Sequence, residues 1–351
     1  MPFQLSNTIK NLVPYDPITG DYTVRLDANE SFLPIDKEEQ AALISALVNT
    51  DLRRYPDHAA TKLCQAAAAF YGTKPGLLTA FNGADEALFV LCSAFLGQGK
   101  TLLCYQADFS MYRFYAQVTG ANIIQLPKRE DYTIDVDATI DALREHKPAL
   151  FIFSNPCNPT SLVLPMDDVR RLTQAANECG TLLVHDEAYM DFADQSLLDE
   201  IEQHSNLVIL RTLSKAAGMA GLRLGFAAAN AELTRALRAL KSPYNVGALT
   251  QAIGTAVLCQ PKRLLHDIAA IRQSCDELAA SLRELGLQVV GYAANFVFVR
   301  DAAQYFEPLK QRGIVVRCLG ENLRITAGSP EENAAVLDAL AAQALLFLKE
   351  K

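Results

Sequence analysis

Between residues 77 and 228, seven short apolar runs alternate with amphipathic windows, and no other feature constrains this chain as strongly. The runs lie at 77–81, 101–105, 122–126, 149–153, 181–186, 207–211 and 223–228. Runs this short and continuously apolar fit strands covered on both faces. The first five are separated by helical windows at 85–95, 111–119, 135–146 and 166–179. That is the β-α-β alternation of a mostly parallel sheet flanked by helices. Such sheets bind ligands outside the carboxyl ends of their strands, so the loops that follow the strands are where chemistry is expected. After residue 229 the pattern changes. Helical windows at 231–240, 247–258 and 261–285 precede short strand signals at 287–290, 296–299, 314–317 and 322–326, and 331–348 reads as a terminal helix. The expectation is an α/β protein with a large domain at 36–230 built on a mostly parallel central sheet. A smaller α+β domain follows at 231–351, and the N-terminal segment 1–35 packs on that domain and on the active site.

Composition narrows the function classes. Hydrophobic residues make up 50% of the 351 and charged residues 21%, which is ordinary for a globular enzyme. The net charge of −8 comes without a basic block, which argues against a nucleic-acid partner. No apolar run approaches the ~18 residues of a membrane span, and the N-terminus lacks the pattern of a signal peptide. Eight cysteines form no Cys-x-x-Cys and have no His at zinc-knuckle spacing. They read as reduced core thiols of a cytoplasmic protein, with no metal site.

Five segments carry chemistry, each after an apolar run. Arg211-Thr-Leu-Ser-Lys215, continuing to Arg223 and Gly225, sets a lysine beside two hydroxyls and a guanidinium. That set suits an aldehyde cofactor bearing a phosphate: the amine forms a Schiff base while the hydroxyls and arginine hold the phosphate. Taken alone, Lys215 reads first as a solvated lysine in a polar turn. Thr181-Leu-Leu-Val-His-Asp-Glu-Ala-Tyr189 ends a strand in carboxylates. Asp186 there can pair with a protonated pyridine nitrogen, and Tyr189 can bond the ring hydroxyl oxygen; the plainer reading of Asp186 is a helix N-cap. Asn158, in Ser154-Asn-Pro-Cys-Asn-Pro-Thr-Ser161, can present its amide to the same oxygen or serve only as a turn residue. Asn82-Gly-Ala-Asp-Glu86 opens a helix, and free N–H groups at a helix N-terminus bind anions. Asp108-Phe-Ser-Met-Tyr112 offers Phe109 as a face for ring stacking or as a core aromatic.

In this order the five segments resemble the fold-type-I aminotransferases that use pyridoxal 5′-phosphate. Within them the chain is similar to the histidinol-phosphate aminotransferase family over nearly its whole length. Leu12-Val-Pro-Tyr15, Leu26-Asp-Ala-Asn-Glu30, Arg54-Tyr-Pro-Asp57, Pro243-Tyr-Asn-Val246, Asn295-Phe-Val297 and Leu323-Arg-Ile-Thr326 extend the likeness. The resemblance implies transamination of L-histidinol phosphate with 2-oxoglutarate, giving imidazole acetol phosphate and L-glutamate, in histidine biosynthesis. It implies that Lys215 holds the cofactor and shuttles the proton, and that Asp186 pairs with the ring nitrogen. Asn158 and Tyr189 would contact the ring hydroxyl oxygen, with Phe109 stacked on the ring. The Ala84 and Asp85 amides, Ser214 and Arg223 would bind the cofactor phosphate, with Thr212 close by. Tyr55 would reach the phosphate of the neighbouring subunit, making a homodimer the active unit. Arg324 would bind the acidic end of each substrate, assisted by Arg317 and Tyr15, with Asn29 lining the pocket.

The chain departs from the family's common pattern in places. Phe109 stands where Tyr often stacks, Ala107-Asp108 replaces a Pro-Thr, Ser161 ends a usual Asn-Pro-Thr-Gly, and Asp27-Ala-Asn29 replaces Asn-Ala-Asn. The Pro-Gly-Lys-Pro that often follows the early Pro-Tyr appears as Asp16-Pro-Ile-Thr-Gly20. Several of these touch the substrate side, so aromatic amino acid aminotransferase and threonine-phosphate decarboxylase activities on the same scaffold stay open. A nicotinamide dehydrogenase is disfavoured, because Gly218, Gly221 and Gly225 do not make Gly-x-Gly-x-x-Gly. A non-catalytic DNA-binding regulator would need an added domain.

Overall fold

The seven apolar runs assemble into one sheet whose inner strands are buried on both faces, while the edge strand Asn122–Leu126 is only partly covered. The computed structural model describes residues 3–5, 7–13 and 17–349. Its strands are β1 (Val24–Leu26), β2 (Leu78–Phe81), β3 (Thr101–Tyr105), β4 (Asn122–Leu126), β5 (Leu150–Ser154), β6 (Leu182–Asp186), β7 (Leu207–Thr212), β8 (Gly225–Ala229), β9 (Gln288–Gly291), β10 (Phe296–Arg300), β11 (Ile314–Leu319) and β12 (Asn322–Thr326). The large sheet has the order β2-β8-β7-β6-β5-β3-β4. Strands β7, β6, β5, β3 and β4 run parallel, and β8 is antiparallel to both its neighbours. Alternate side chains of one strand feed opposite cores, as the two-residue period requires. Phe151, Phe153 and Leu183 join the core under helices Thr61–Tyr71, Val136–His146 and Met166–Glu178. Leu150, Ile152 and Val184 join the core under Gly83–Phe95 and Met111–Thr119. This is why the runs are apolar without alternation.

The second sheet has the order β1-β11-β12-β10-β9, with β1 parallel to β11 and the rest antiparallel. Helices Pro261–Glu284 and Pro330–Lys349 pack on it through Cys275, Leu278, Leu282, Val336 and Leu340. Strand β1 lies inside segment 1–35, and its Val24 and Leu26 enter this core. The large-sheet cores extend past residue 230: Leu237, Val246, Val257 and Leu258 pack into them. Among the described residues, no helix is long and apolar enough to cross a membrane, and no two cysteines form a disulfide.

Candidate active site

The carboxyl ends of β5, β6 and β7 open onto a cavity of about 430 Å³, within the ~300–1,000 Å³ of small-molecule sites. Twelve of the residues singled out in the sequence line it: Asn29, Ala84, Asp85, Phe109, Asn158, Asp186, Tyr189, Thr212, Ser214, Lys215, Arg223 and Arg324. Three do not. Tyr15 lies outside the described residues. Arg317 sits on β11 directly across from Arg324 on β12 and is not among the described residues that line the cavity. Tyr55 is 81% exposed and stacks on Tyr244 at 4.5 Å, also away from the cavity of its own chain.

Lys215 follows β7, and its Nζ donates to the carbonyls of Ala28 (3.0 Å) and Asn29 (3.2 Å). Burial, and next the charge of Arg324, lower its pKa to about 8. A large share of this amine is therefore neutral, and nucleophilic, at mildly alkaline pH.

Asp186 is the last residue of β6. Its Oδ2 accepts the Tyr112 hydroxyl at 2.7 Å and its Oδ1 the Ala188 N–H at 3.1 Å. Burial still raises its pKa to about 6. A carboxylate in that condition is stabilised by a cation, which a protonated ring nitrogen supplies. Tyr112 is a site residue that sequence reasoning passed over. Its signal was its place one helical turn beyond Phe109, whose ring it meets edge-on at 5.5 Å.

The opposite end of the cavity suits an anion. The Asn82 side chain does not cap helix Gly83–Phe95, and the Glu86 carboxylate takes only the N–H of Asn82 itself, at 2.6 Å. The Asn82 amide turns instead to the Asn245 carbonyl. First-turn N–H groups without a helical acceptor attract phosphate. Two glycines permit the close packing there. A Cβ on Gly83, at φ +73°, would lie 2.7 Å from Arg223 Nη2, and one on Gly225 would lie 2.6 Å from the Ala84 amide nitrogen. Arg223 itself adopts a positive φ of 52°. Its Nη2 pairs with Asp85 Oδ2 at 2.9 Å and its Nη1 donates to Ser214 Oγ at 3.4 Å. Thr212 Oγ1 accepts the Ser214 N–H (3.1 Å) and donates to Ser214 Oγ (3.0 Å). Backbone amides, two hydroxyls and a guanidinium thus converge on the cavity that Lys215 and Asp186 also line. A ring carrying an aldehyde and a phosphate fits this donor set.

On the remaining wall, Arg324 donates from Nη1 to Asn158 Oδ1 and from Nη2 to the Asp27 carbonyl, both at 2.6 Å. Its guanidinium carbon lies 5.3 Å from the centre of the Phe296 ring. Asn29, at φ 55°, donates from Nδ2 to the Tyr189 hydroxyl at 2.8 Å and accepts the Thr326 hydroxyl at 3.1 Å. Burial raises the Tyr189 hydroxyl to about 12, so it stays protonated and able to donate.

The family model described as aminotransferase class I and II matches residues 23–340. The histidinol-phosphate aminotransferase of Clostridium novyi (strain NT) is 37% identical over 340 residues, 95% of each chain. That of Thermococcus gammatolerans is 35% identical over 340 residues, 96% of each. Among solved structures, histidinol-phosphate aminotransferase from Sinorhizobium meliloti in complex with pyridoxal-5′-phosphate superposes with a TM-score of 0.87. At 24% identity, covering 97% of this chain and 98% of that one, it speaks to the shared fold. With a family model spanning most of the sequence and relatives this similar matching nearly end to end, the chain belongs to the class I and II aminotransferases and, within them, to the histidinol-phosphate aminotransferase group.

Proposed function

We propose that this chain uses pyridoxal 5′-phosphate to move the amino group of L-histidinol phosphate to 2-oxoglutarate, giving imidazole acetol phosphate and L-glutamate in histidine biosynthesis. The observation that carries the reading is Lys215, an amine with a pKa lowered to about 8, placed in one cavity with the buried Asp186 carboxylate and the anion-binding end. When bound, the cofactor supplies an aldehyde for the amino group and a ring that accepts the electron pair left by the departing α-proton. The chain's own residues do the rest. Asp186 keeps the ring nitrogen protonated. Asn158 and Tyr189 hold the ring hydroxyl, and Phe109 covers one face. The Ala84 and Asp85 amides, Ser214 and Arg223 hold the phosphate, with Thr212 supporting Ser214. Lys215 Nζ would take the proton from the donor's α-carbon and carry it to the carbon that came from the cofactor's aldehyde, a transfer that proximity makes effectively unimolecular. Arg324 reads the acid of each substrate.

A panel of amine donors tests the substrate. Histidinol phosphate should give the largest kcat/KM against phenylalanine, tyrosine and threonine phosphate. A larger value for an aromatic amino acid, or carbon dioxide release from threonine phosphate, would replace the proposed substrate. In the same panel, Arg324→Lys should lower kcat/KM for glutamate and histidinol phosphate alike, by roughly tenfold or more, because Lys cannot copy a planar two-point contact. An effect on one substrate alone would contradict a shared acid site.

The proposed working unit is a cytoplasmic homodimer in which Tyr55 completes the partner's phosphate site. Two features support it. Tyr55 and Tyr244 form an exposed aromatic stack, and Ile44, Leu47, Val48 and Leu52 are exposed nearby in sequence. Apolar surface of this kind marks interaction sites. Most soluble oligomers are two-fold, so each subunit would give one Tyr55 and receive one. Mixing Tyr55→Ala with Lys215→Ala under subunit exchange should restore activity at one site per hybrid, since both defects then fall in the other site. No recovery, with exchange confirmed, would assign Tyr55 to its own subunit.

A further inference from the structure

Asp108 stands between β3 and helix Met111–Thr119 and does not line the cavity, yet its hydrogen bonds lead to the cavity wall. Its Oδ1 accepts the Phe109 N–H at 2.7 Å and the Ser154 hydroxyl. Its Oδ2 accepts the Ser154 N–H at 3.3 Å. Ser154 Oγ in turn accepts the Asn158 N–H at 3.0 Å, and Asn158 Oδ1 accepts Arg324 Nη1 at 2.6 Å. One carboxylate therefore begins a continuous chain through Ser154 and Asn158 to Arg324. Lys128 braces it: its Nζ donates to the Ala107 carbonyl (3.1 Å) and to Cys157 Sγ (2.9 Å), and its charge acts on Asp108. Ala107 is held at a φ of 48°, a conformation a non-glycine residue keeps only when its surroundings fix it.

We infer that Asp108 is a positioning residue that, through Ser154 and Asn158, sets the aim of Arg324 at the substrate acid. This rests on the reading of Arg324 as the acid-binding group. A carboxylate suits the task because its two oxygens together accept three donors, the Phe109 N–H and both donors of Ser154, one more than the two lone pairs of a single hydroxyl oxygen can take. The loop Ser154-Asn-Pro-Cys-Asn158 would otherwise be tied at this end by backbone contacts such as Asn155 N–H to Asp186 O.

The test uses holoenzyme and succinate, a dicarboxylate that binds without reacting, followed by the change in the visible absorption of the bound cofactor. Asp108→Ala and Ser154→Ala should each weaken succinate by about tenfold, the scale of a misaligned charge-assisted bond. KM for 2-oxoglutarate should rise in step, and kcat should fall less. Asp108→Asn, which keeps one acceptor for Ser154, should recover most of the loss. Joining Asp108→Ala to Ser154→Ala should add little, since both cut one chain. The affinity of each apoprotein for pyridoxal phosphate should stay within about twofold of wild type, because the phosphate ligands lie elsewhere. Arg324→Lys is the control. If it loses succinate while Asp108→Ala does not, the inference fails alone. An equal loss of cofactor affinity in Asp108→Ala would also overturn it, as a sign of general loosening. If Arg324→Lys keeps succinate affinity, the substrate reading fails and this inference with it.

Discussion

Lys215→Ala should lower transamination by at least about 10⁴-fold, the scale seen when an enzyme loses its nucleophile, and should leave no cofactor that borohydride fixes to the protein after pyridoxal phosphate is added. Alanine has no group that can replace Nζ either in joining the aldehyde or in carrying the proton. Lys215→Arg should fail equally, because a guanidinium stays charged. Measuring the rate and the spectrum of the same preparation separates lost chemistry from lost folding. The titration of Lys215 gives a second readout. Its folded pKa of about 8 lies below its ordinary 10.5. Between those values the unfolded chain binds the extra proton, so stability rises with pH across that window. Below about 8 the amine is charged in both states and its contribution is flat. Wild-type apoprotein should therefore gain stability relative to Lys215→Ala between about pH 8 and 10.5, measured by denaturant unfolding. A parallel course of the two curves would mean that the amine is not perturbed.

Asp186→Asn should cost roughly 10²–10³-fold in kcat, the range for removing one preorganised electrostatic contact from a reacting centre. Asparagine is close in shape and can still accept the Tyr112 hydroxyl, but it brings no charge to hold a proton on the ring nitrogen. The visible band should still form, because Lys215 is intact. Single-turnover rates with the amine donor provide the check. A variant within tenfold of wild type would show that ring protonation does not depend on this carboxylate.

The sequence discloses the scaffold well because its signals are local. Continuous runs such as Phe151-Ile-Phe153 are strands whose neighbouring side chains enter opposite cores. Strand-end loops then place Asp186, Lys215 and Asn158 around one cavity. What it hides depends on distant pairing. Strand β1 spans three residues, too few for a period to register, and is defined by its partner β11. Tyr112 carries no assigned role in the sequence, because its partner Asp186 lies 74 residues away. Asp108 reads as a loop carboxylate, because its link to Ser154 spans 46 residues. Arg317 and Arg324 look alike in sequence, yet only Arg324 lines the cavity.

The cofactor's point of attachment is the most direct test. Holoenzyme treated with borohydride should lose its visible band, and peptide mapping by mass spectrometry should find the reduced pyridoxal phosphate on Lys215, in the segment Thr212-Leu-Ser-Lys215. Modification of any other lysine, or a band that borohydride leaves unchanged, would contradict it.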